Sequence, residues 1–447
     1  MKNKTKNHKS QQEFFFETII DLTPGGKLRP WNKSRGCSDG VMGTYGHIPG
    51  LEHFQKRMAG CGSHLVMLAC DVVEHGKILK KAFFCKCRLC VLCQWRKSLV
   101  VRRQIMNLAN EHLKKYSTDV AIFVTFTVVN EKGENLSKTL DQMNAAWKRL
   151  IELKDVKRPM RASFKSLEIT YNKDRDDYHP HFHAIFMVPR DYFYRSSGIY
   201  LTHERLVELW RQSMRDDRIT QVNVQRARTK TKEELVVLIG EVAKYATKPS
   251  SYLFKNEDGF YEADPKVIET LHNALRGRRL ISYGGNFNKI RKEKKMVDAE
   301  KADLSDIDED GVLKECRCKT CMNVLKEEFY LWNFVAQKYQ KMPVRGQENA
   351  EVFQEEEAVY SSDLSKEEKK DSADYSHCEE EKLDISSDFE KIDPQILESK
   401  QKEEEYQRQE IQFKKPDFST RQKKKVRKGN GGFYRSESSL IPLRGPP

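Results

Sequence analysis

The alternation of histidine with apolar residues in HPHFHAIFMV, residues 179–188, is the feature that most constrains the fold. Its final eight residues, 181–188, predict a β-strand. Because residues two apart in a strand share one face, His181 and His183 point to the same side of the sheet and Phe182 points to the other. Two imidazoles side by side are a ready pair of metal ligands.

A second predicted strand precedes this one and carries a carboxylate. Residues 164–171 form a mainly apolar run that contains Glu168, and the polar segment 172–178 that follows is typical of a turn. The two strands are expected to pair as a hairpin, which brings Glu168 beside both histidines of the later strand. Pro180 is expected to break the strand register, which leaves His179 as an outer residue.

The converging groups indicate a metal site. Two imidazoles and one carboxylate leave coordination positions open for a substrate oxygen, so we interpret Glu168, His181 and His183 as ligands of a divalent ion. The competing interpretation is that the histidines are surface or packing residues at a junction between loop and strand. An alternating pair with an acid on the neighbouring strand favours the metal.

Periodicity places further elements around this hairpin. The predicted elements are a strand at 120–129, helices at 135–153 and 202–214 (the latter capped by Thr202), a short strand at 219–224 and a helix at 233–248. The order β-α-β-β-α-β-α predicts an α+β fold, an antiparallel sheet with flanking helices similar to the split βαβ (ferredoxin-like) plan.

The predicted helix at 233–248 ends in EVAKYATK. Residues four apart share a helix face, so Glu241 neighbours Tyr245, and Lys244 neighbours Lys248. A phenol has a pKa near 10 and needs a cation or base to act as a nucleophile, and nearby lysines favour the phenolate and hold a phosphate. Taken alone, the motif is more typical of an ordinary amphipathic helix with a half-buried tyrosine and an exposed charge pair than of a nucleophile.

Cysteines are concentrated between residues 85 and 93, in CKCRLCVLC. Cys90 and Cys93 form a C-x2-C pair, and together with Cys85 they predict a tetrahedral zinc site. Spacing does not decide the fourth ligand, although Cys61 is preferred to the cramped Cys87; His64 and Cys70 also lie upstream. A weaker cluster, Cys316, Cys318 and Cys321, is compatible with a second metal or with none.

The helix that follows this cluster is basic. It carries Arg96, Lys97, Arg102 and Arg103, which suit a DNA backbone. The competing interpretation is a solvated helix face.

Charge is divided unevenly along the 447 residues. The net charge is +14, yet residues 347–410 hold 22 acidic and 8 basic residues, a local charge of −14, which leaves +28 for the rest. The acidic stretch is expected to be disordered, as is the basic segment RQKKKVRK at 421–428. The basic remainder favours a nucleic-acid partner. Neither a membrane-spanning run nor a secretory signal is recognised, and eleven cysteines fit a reducing cytoplasm.

Several motifs in order, FVTFT (123–127), SLEITYN (166–172), HPHFHAIFMV (179–188) and EVAKYATK (241–248), resemble the rolling-circle replication initiators of Gram-positive plasmids, within the HUH endonuclease superfamily. FFCKCRLCVLCQWR (83–96), RPW (29–31) and ISYGGNF (281–287) extend the resemblance over about residues 20–295. Val91 departs from the family pattern, which usually has proline there.

The resemblance implies a role for each matching residue. His181, His183 and Glu168 correspond to the ligands of catalytic Mg²⁺ or Mn²⁺, and Tyr245 corresponds to the nucleophile. Glu241 matches the residue that activates water at termination, and Lys248 matches the lysine that positions the phosphate. The implied activity is a metal-dependent, site-specific nick in single-stranded DNA of a plasmid origin hairpin.

The implied product is a 5′-phosphotyrosine together with a 3′-OH primer. The implied partners are origin DNA, a host polymerase and helicase, and a second copy of the chain; no membrane is involved. Two alternatives remain open at this stage: a relaxase or single-strand transposase of the same superfamily, and a non-catalytic zinc-containing DNA-binding protein.

The sequence is divided into regions on composition and motif position. The predicted regions are an N-terminal extension (1–55), a Cys-rich zinc module with its basic helix (56–117), an HUH endonuclease domain (118–255), a helical accessory region (256–346) and a charged tail (347–447).

Overall fold

The computed structural model describes residues 17–226, 239–240, 242–243, 247–305 and 317–343, except for the side chains at 195, 225 and 226. Glu241, Tyr245, most of the predicted helix at 233–248 and the charged segments after residue 343 therefore lie outside the described residues. The predicted domain boundaries stay a prediction.

The strands, in chain order, are β1 His64–Ala69, β2 Lys77–Lys81, β3 Val120–Thr127, β4 Ala162–Asn172, β5 Asp177–Val188, β6 Val222–Arg226, β7 Leu253–Lys255, β8 Tyr261–Ala263, β9 Ile281–Gly284, β10 Lys326–Asn333 and β11 Lys338–Met342. The α-helices are α1 Trp31–Tyr45, α2 Glu52–Ala59, α3 Val91–Lys115, α4 Gly133–Glu152, α5 Lys154–Lys157, α6 His203–Met214, α7 Pro265–Leu275 and α8 Gly285–Glu293. Short 3-10 turns lie at Val73–His75, Arg190–Phe193, Arg195–Ser197 and Pro249–Ser251.

A five-stranded antiparallel sheet forms the centre of the fold, in the order β6-β3-β5-β4-β9. The predicted hairpin is its β4–β5 pair, which is in register from Ala162↔Met187 to Asn172↔Asp177. Thr202 caps α6 as predicted, because its side chain accepts a hydrogen bond from the backbone N–H of Arg205. The predicted α+β class, with antiparallel sheets and flanking helices, is confirmed.

One face of this sheet packs against α4 and α6. Trp147 of α4 stacks on Phe186 with ring centroids 5.8 Å apart, and it meets Phe182 edge to face. Trp210 of α6 packs on Phe126 of β3, 5.0 Å between centroids. Because alternate residues of a strand point to opposite faces, this aromatic layer leaves His181 and His183 on the other face.

The histidine-bearing face is flanked by α3 and α8. Phe287 of α8 meets His112 of α3 edge to face at 5.7 Å. Ser166 of β4 donates a hydrogen bond to the carbonyl of Val242 at 2.5 Å. Val242 and Lys248 therefore also lie beside β4, in addition to the two helices.

A second antiparallel sheet has the order β11-β10-β1-β2 and joins distant parts of the chain. Its β1–β10 pairing runs from His64↔Leu331 to Ala69↔Lys326. Helix α1 packs on this sheet: Asp39 accepts a hydrogen bond from the indole of Trp332 at 2.8 Å, and Asn32 accepts one from the backbone of Tyr339 at 2.9 Å. A small sheet, β7–β8, packs on α1. No described helix is long and apolar enough to cross a membrane.

Pro180 does not break the strand, contrary to the sequence prediction. It lies within β5 and pairs with Ile169. The carbonyl of Ile169 accepts a hydrogen bond from Lys248 on its far side, so the Ile169–Pro180 pair exchanges no ladder bonds. The missing N–H of proline therefore faces β3, whose pairing with β5 ends at Thr127↔His181.

The predicted helix at 233–248 does not extend to its predicted end. Thr247 forms a parallel β-bridge with Ile169, and Lys248 has extended angles, φ −90° and ψ 100°. The residue before a proline avoids the helical region, and here Pro249 follows Lys248. The prediction that Lys248 shares a helix face with Lys244 is wrong for this reason.

Candidate metal centre and its surroundings

Glu168, His181 and His183 lie together on one face of the β4–β5 hairpin, as the predicted pairing requires. Glu168 is directly opposite His181 in the register. The carboxylate oxygen Oε2 of Glu168 lies 2.8 Å from Nε2 of His183 and 3.4 Å from Nε2 of His181. The two Nε2 atoms are 3.1 Å apart. The hairpin thus brings all three ligand atoms within reach of one ion.

The outer nitrogens of both imidazoles have acceptors nearby. Nδ1 of His181 lies 3.2 Å from the carbonyl of His179, and Nδ1 of His183 lies 3.2 Å from the hydroxyl of Thr125 on β3. If each Nδ1 carries the proton and donates it to these oxygens, both Nε2 lone pairs point at each other and at the carboxylate. Three converging acceptors repel one another unless a cation lies between them.

The distances fit a hard or borderline divalent cation. Ligands about 2.1 Å from an octahedral ion are separated by about 3.0 Å along an edge. The three measured separations, 2.8, 3.1 and 3.4 Å, have the size of one octahedral face. Carboxylate oxygen suits Mg²⁺ and Mn²⁺, and imidazole nitrogen suits borderline divalent ions, so the donor set is compatible with either implied ion and does not select between them.

The electrostatics of Glu168 agree with a cation site. Burial by itself raises the pKa of this carboxyl, but in the absence of an ion, protons on the facing Nε2 atoms of His181 and His183 hydrogen-bond to it, outweigh burial and hold the pKa well below its usual range. The carboxylate is therefore ionised at neutral pH. The three side chains are 10–12% exposed, so the centre is recessed but open to a ligand.

Aromatic rings hold the two imidazoles in place. Phe123 of β3 stacks on His183 at 5.4 Å, and His179 stacks on His181 at 5.2 Å. Burial lowers the pKa of His179, and the neighbouring His181 lowers it further. His179 is not part of the three-ligand group.

Two described residues on either side of Tyr245 in the chain, Val242 and Lys248, form hydrogen bonds with β4 close to Glu168. Val242 accepts the hydrogen bond from Ser166, and the backbone of Lys248 donates to Ile169 at 3.3 Å. The side chain of Lys248 is exposed. Because Tyr245 and Glu241 lie outside the described residues, their catalytic roles stay predictions.

The four cysteines predicted as zinc ligands converge in a buried cluster, and Cys87 is not among them. The sulfur of Cys61 lies 3.6 Å from that of Cys90 and 3.4 Å from that of Cys93. Cys85 and Cys93 are 3.7 Å apart. The backbone N–H of Cys85 donates to the sulfur of Cys61 at 3.5 Å.

These distances and this donor set fit zinc. A tetrahedral ion with Zn–S bonds of about 2.3 Å separates its sulfurs by about 3.8 Å, whereas a disulfide joins them at about 2.05 Å. Burial raises the pKa of Cys61, Cys85 and Cys93 well above the ordinary thiol value. Four thiolates therefore require a compensating cation at this position.

Local backbone geometry makes room for the cluster. Gly62, directly after Cys61, has φ +62°, in the left-handed region that favours glycine. A Cβ at this position would lie 2.4 Å from a methyl carbon of Leu92. Glycine therefore allows β1 to approach the start of α3 closely enough for Cys61 to reach Cys93.

The cysteine cluster is connected to the tyrosine motif through two side chains. Gln94, the residue after Cys93, lies 3.4 Å from the hydroxyl of Thr247, which is fully buried. The same hydroxyl is 3.2 Å from that of Tyr252. No sequence pattern pointed to Gln94, whereas the two threonines spaced two residues apart in FVTFT could have pointed to Thr125.

The start of the basic helix is not a DNA-binding face. Arg96 is 3% exposed, donates to the carbonyl of Leu304 at 3.0 Å and lies 5.2 Å from the ring of Trp31. Burial lowers the pKa of Lys97, partly offset by Glu300. The predicted contact of Arg96 with a DNA backbone is wrong, because its guanidinium is enclosed by aromatic rings and carbonyls.

Comparison with known proteins shows which family the chain resembles. The sequence model of the Rep_1 family, described as replication protein, matches residues 76–340, more than half of the chain. A "Protein rep" of Lentilactobacillus hilgardii is 32% identical over 72% of this chain and 98% of its own length, and one of Streptococcus pneumoniae is 29% identical over 70% and 96%. A shorter match, to a "Protein rep" of Staphylococcus aureus, is 35% identical over 43% and 81%.

The chain therefore belongs to the Rep_1 family of replication proteins. The resemblance to replication initiators of Gram-positive plasmids, predicted from the ordered motifs, is confirmed at the level of the family. No solved structure matches the chain.

Proposed function

We propose that the protein initiates rolling-circle replication of a plasmid by nicking one strand of the origin DNA. The observation that carries the proposal is the convergence of Glu168, His181 and His183 beside the chain that flanks Tyr245. A divalent ion bound there, Mn²⁺ or Mg²⁺, would polarise the scissile phosphate and neutralise developing charge. The substrate would place the protein in the bacterial cytoplasm.

The nucleophile in this proposal is the phenol of Tyr245. Its oxygen forms a bond to the phosphorus and the bond from phosphorus to the 3′ oxygen breaks, which leaves a 5′-phosphotyrosine and a 3′-OH after the leaving oxygen takes a proton. Lys248, whose side chain is exposed next to β4, positions the phosphate. The 3′-OH primes a host polymerase.

At termination Glu241 activates a water molecule, so that the final cut leaves no lasting covalent enzyme. The nick site is single-stranded, in the loop of an origin hairpin, because a flexible single strand can place its scissile phosphate in a recessed centre, whereas a stiff duplex cannot. A host helicase and a second copy of the chain complete the proposed set of partners. Structural zinc at Cys61, Cys85, Cys90 and Cys93 holds the start of α3.

The test uses a labelled single-stranded oligonucleotide that spans the origin nick, incubated with Mn²⁺ and the full chain. We expect a covalent adduct that is lost in Tyr245→Phe. Tyr171→Phe is the matched control: burial and a hydrogen bond to Asp176 raise the pKa of Tyr171 to about 12, so it is a poor nucleophile close to the site.

The metal role has its own readout. His181→Ala is expected to abolish cleavage while DNA binding is retained. An adduct that persists in Tyr245→Phe would contradict the assigned nucleophile, and binding without cleavage under every divalent ion would favour a non-catalytic DNA-binding protein. A gene that lies among conjugation genes, away from a double-strand origin, would favour a relaxase.

A further inference from the structure

Another group of metal-binding side chains lies at the end of the four-stranded sheet, away from the two centres described above. Cys70 directly follows β1, His75 ends the 3-10 turn between β1 and β2, and Cys318 and Cys321 precede β10. These residues come from segments about 250 positions apart, yet their ligand atoms all lie within 4.8 Å of one another.

The individual distances describe a compact four-atom site. The sulfurs of Cys70 and Cys321 are 3.4 Å apart. Nδ1 of His75 lies 3.5 Å from the sulfur of Cys70 and 3.3 Å from that of Cys318. Tetrahedral zinc with Zn–S of about 2.3 Å and Zn–N of about 2.0 Å separates sulfur from nitrogen by about 3.5 Å and sulfur from sulfur by about 3.8 Å.

The turn that carries Cys318 and Cys321 is shaped around the first of these sulfurs. Backbone N–H groups of Thr320 and Cys321 donate to the sulfur of Cys318. Two backbone hydrogen bonds close the turn. The N–H of Met322 donates to the carbonyl of Cys318 at 2.8 Å, and the N–H of Cys318 donates to the carbonyl of Asn323 at 2.8 Å. A C-x2-C pair in such a turn has the ligand spacing of structural zinc sites.

Met322 follows the second cysteine and has φ +61°, a left-handed conformation that is unfavourable for a non-glycine residue. Such strain persists only where the surroundings enforce it. A metal bound by both cysteines of the turn supplies that enforcement.

Few apolar side chains pack together at this end of the sheet. The buried residues there are Leu68, Cys70, Cys318 and Leu325, a cluster separate from the main core. The ion pair nearby, Lys326 with Asp71 at 2.8 Å, is exposed and contributes little. A cross-link through a metal is a common way to stabilise a segment with so small a core.

We propose that Cys70, His75, Cys318 and Cys321 bind a structural zinc ion that fastens residues 317–325 to the connection between β1 and β2. The ion holds β10 in register with β1 and so fixes the four-stranded sheet on which α1 packs. The proposal does not depend on the nicking activity. Its three-sulfur, one-nitrogen ligand set differs from the four-sulfur set of the cluster at Cys61.

The test measures zinc in the full chain, purified under reducing conditions, by elemental analysis and native mass spectrometry. We expect two zinc ions per chain in the unaltered protein and one in Cys321→Ser, whose side chain is only partly buried. Cys37→Ser is the matched control, because Cys37 is buried but belongs to neither ligand group. It is expected to keep both ions.

A second measurement, made on the unaltered protein, still tests the proposal when Cys321→Ser fails to fold. X-ray absorption at the zinc edge of the unaltered protein should give a total of seven sulfur ligands and one nitrogen ligand for the two ions together. His75→Gln should remove the nitrogen contribution and one ion. Zinc content equal in the unaltered chain and Cys321→Ser, a purely sulfur ligand set, or a disulfide between Cys70 and Cys321 under reducing conditions would each overturn the proposal.

Discussion

Gln94 and Thr247 are in contact although 153 residues separate them, with the amide nitrogen 3.4 Å from the buried hydroxyl. Gln94 follows the cluster ligand Cys93, and Thr247 follows Tyr245 by two positions. The amide of Gln94 is itself held by the carbonyl of Arg88 at 2.7 Å. The residue after the cysteine cluster therefore contacts the segment just beyond Tyr245, which is itself bridged to β4 through Ile169.

Thr247→Val removes the hydroxyl but keeps the shape of the side chain. We expect a loss of about 1–2 kcal/mol in the free energy of unfolding, because the buried hydroxyl of Tyr252 loses its partner. The single-turnover nicking rate should fall about tenfold through misplacement of the nucleophile. Thr139→Val, a buried threonine of α4, should leave that rate unchanged. Equal rates in both variants would contradict the positioning role.

Thr125→Val tests the hydroxyl behind His183. Outer partners of metal-bound histidines orient the ring, and their loss typically weakens metal affinity 10–100-fold. We expect that loss for Mn²⁺, measured by calorimetry or by the electron paramagnetic resonance of free Mn²⁺. The control is Thr127→Val on the same strand, whose hydroxyl donates to the carbonyl of Gln221 at 3.1 Å. If both variants bind Mn²⁺ normally, Thr125 has no such role.

Cys61→Ser and Cys87→Ser form a matched pair that identifies the fourth ligand of the buried cluster. Both cysteines are buried, but only Cys61 belongs to the ligand group. Cys61→Ser should lose one zinc ion and much of the stability of the fold, because metal binding contributes to folding free energy. Cys87→Ser should keep the zinc content and lose only about 1–2 kcal/mol. The reverse pattern would identify Cys87 as the ligand.

His272 is expected to make the free energy of unfolding depend on pH. Burial lowers its pKa to about 4, helped by Arg276 and His53, and its Nδ1 lies 2.9 Å from the hydroxyl of Tyr45. Because the folded-state pKa is below the unfolded value near 6.5, the stabilisation is complete above pH 6.5 and is lost as the pH falls towards 4. Between pH 7.5 and 5 this loss is about 2 kcal/mol.

Denaturant unfolding of the unaltered chain and of His272→Gln at both pH values isolates this contribution. The unaltered chain should lose about 2 kcal/mol more than the variant on acidification. Parallel losses in the two proteins would show that another group is responsible.

Arg96→Gln should affect folding and leave DNA binding intact. The buried guanidinium contacts the carbonyl of Leu304 and the ring of Trp31, so the substitution should cost about 2–4 kcal/mol of stability. A residue that contacts a phosphate of duplex DNA contributes about 0.9 to the slope of log K against log salt. A slope that decreases by about that amount in the variant would restore the DNA-contact interpretation.

Much of the central sheet could be predicted because its patterns are local. The strand predicted at 120–129 is β3, Val120–Thr127, and the helix predicted at 135–153 is α4, Gly133–Glu152. The strand predicted at 219–224 begins three residues later, at Val222. Ile219 is buried but lies before the strand, where its carbonyl accepts hydrogen bonds from Arg211 at 2.8 and 3.0 Å.

The second sheet could not be predicted from sequence patterns. Its strands are short, and β1 pairs with β10 from a region more than 250 residues away. No periodicity indicates which distant strand a given strand pairs with, because that choice depends on packing of the whole core. The burial of Arg96 was hidden for the same reason: its aromatic and carbonyl partners come from three separate segments.

The sequence by itself determined that Glu168, His181 and His183 share one face of a hairpin, because a two-residue period and a short turn favour registers that keep all three on that face. Only the tertiary structure decided that Cys61 completes one four-thiol cluster, that Cys70 and His75 meet Cys318 and Cys321, and that Gln94 reaches Thr247. These contacts close long loops. The free energy for closing them comes from the assembled core rather than from any local pattern.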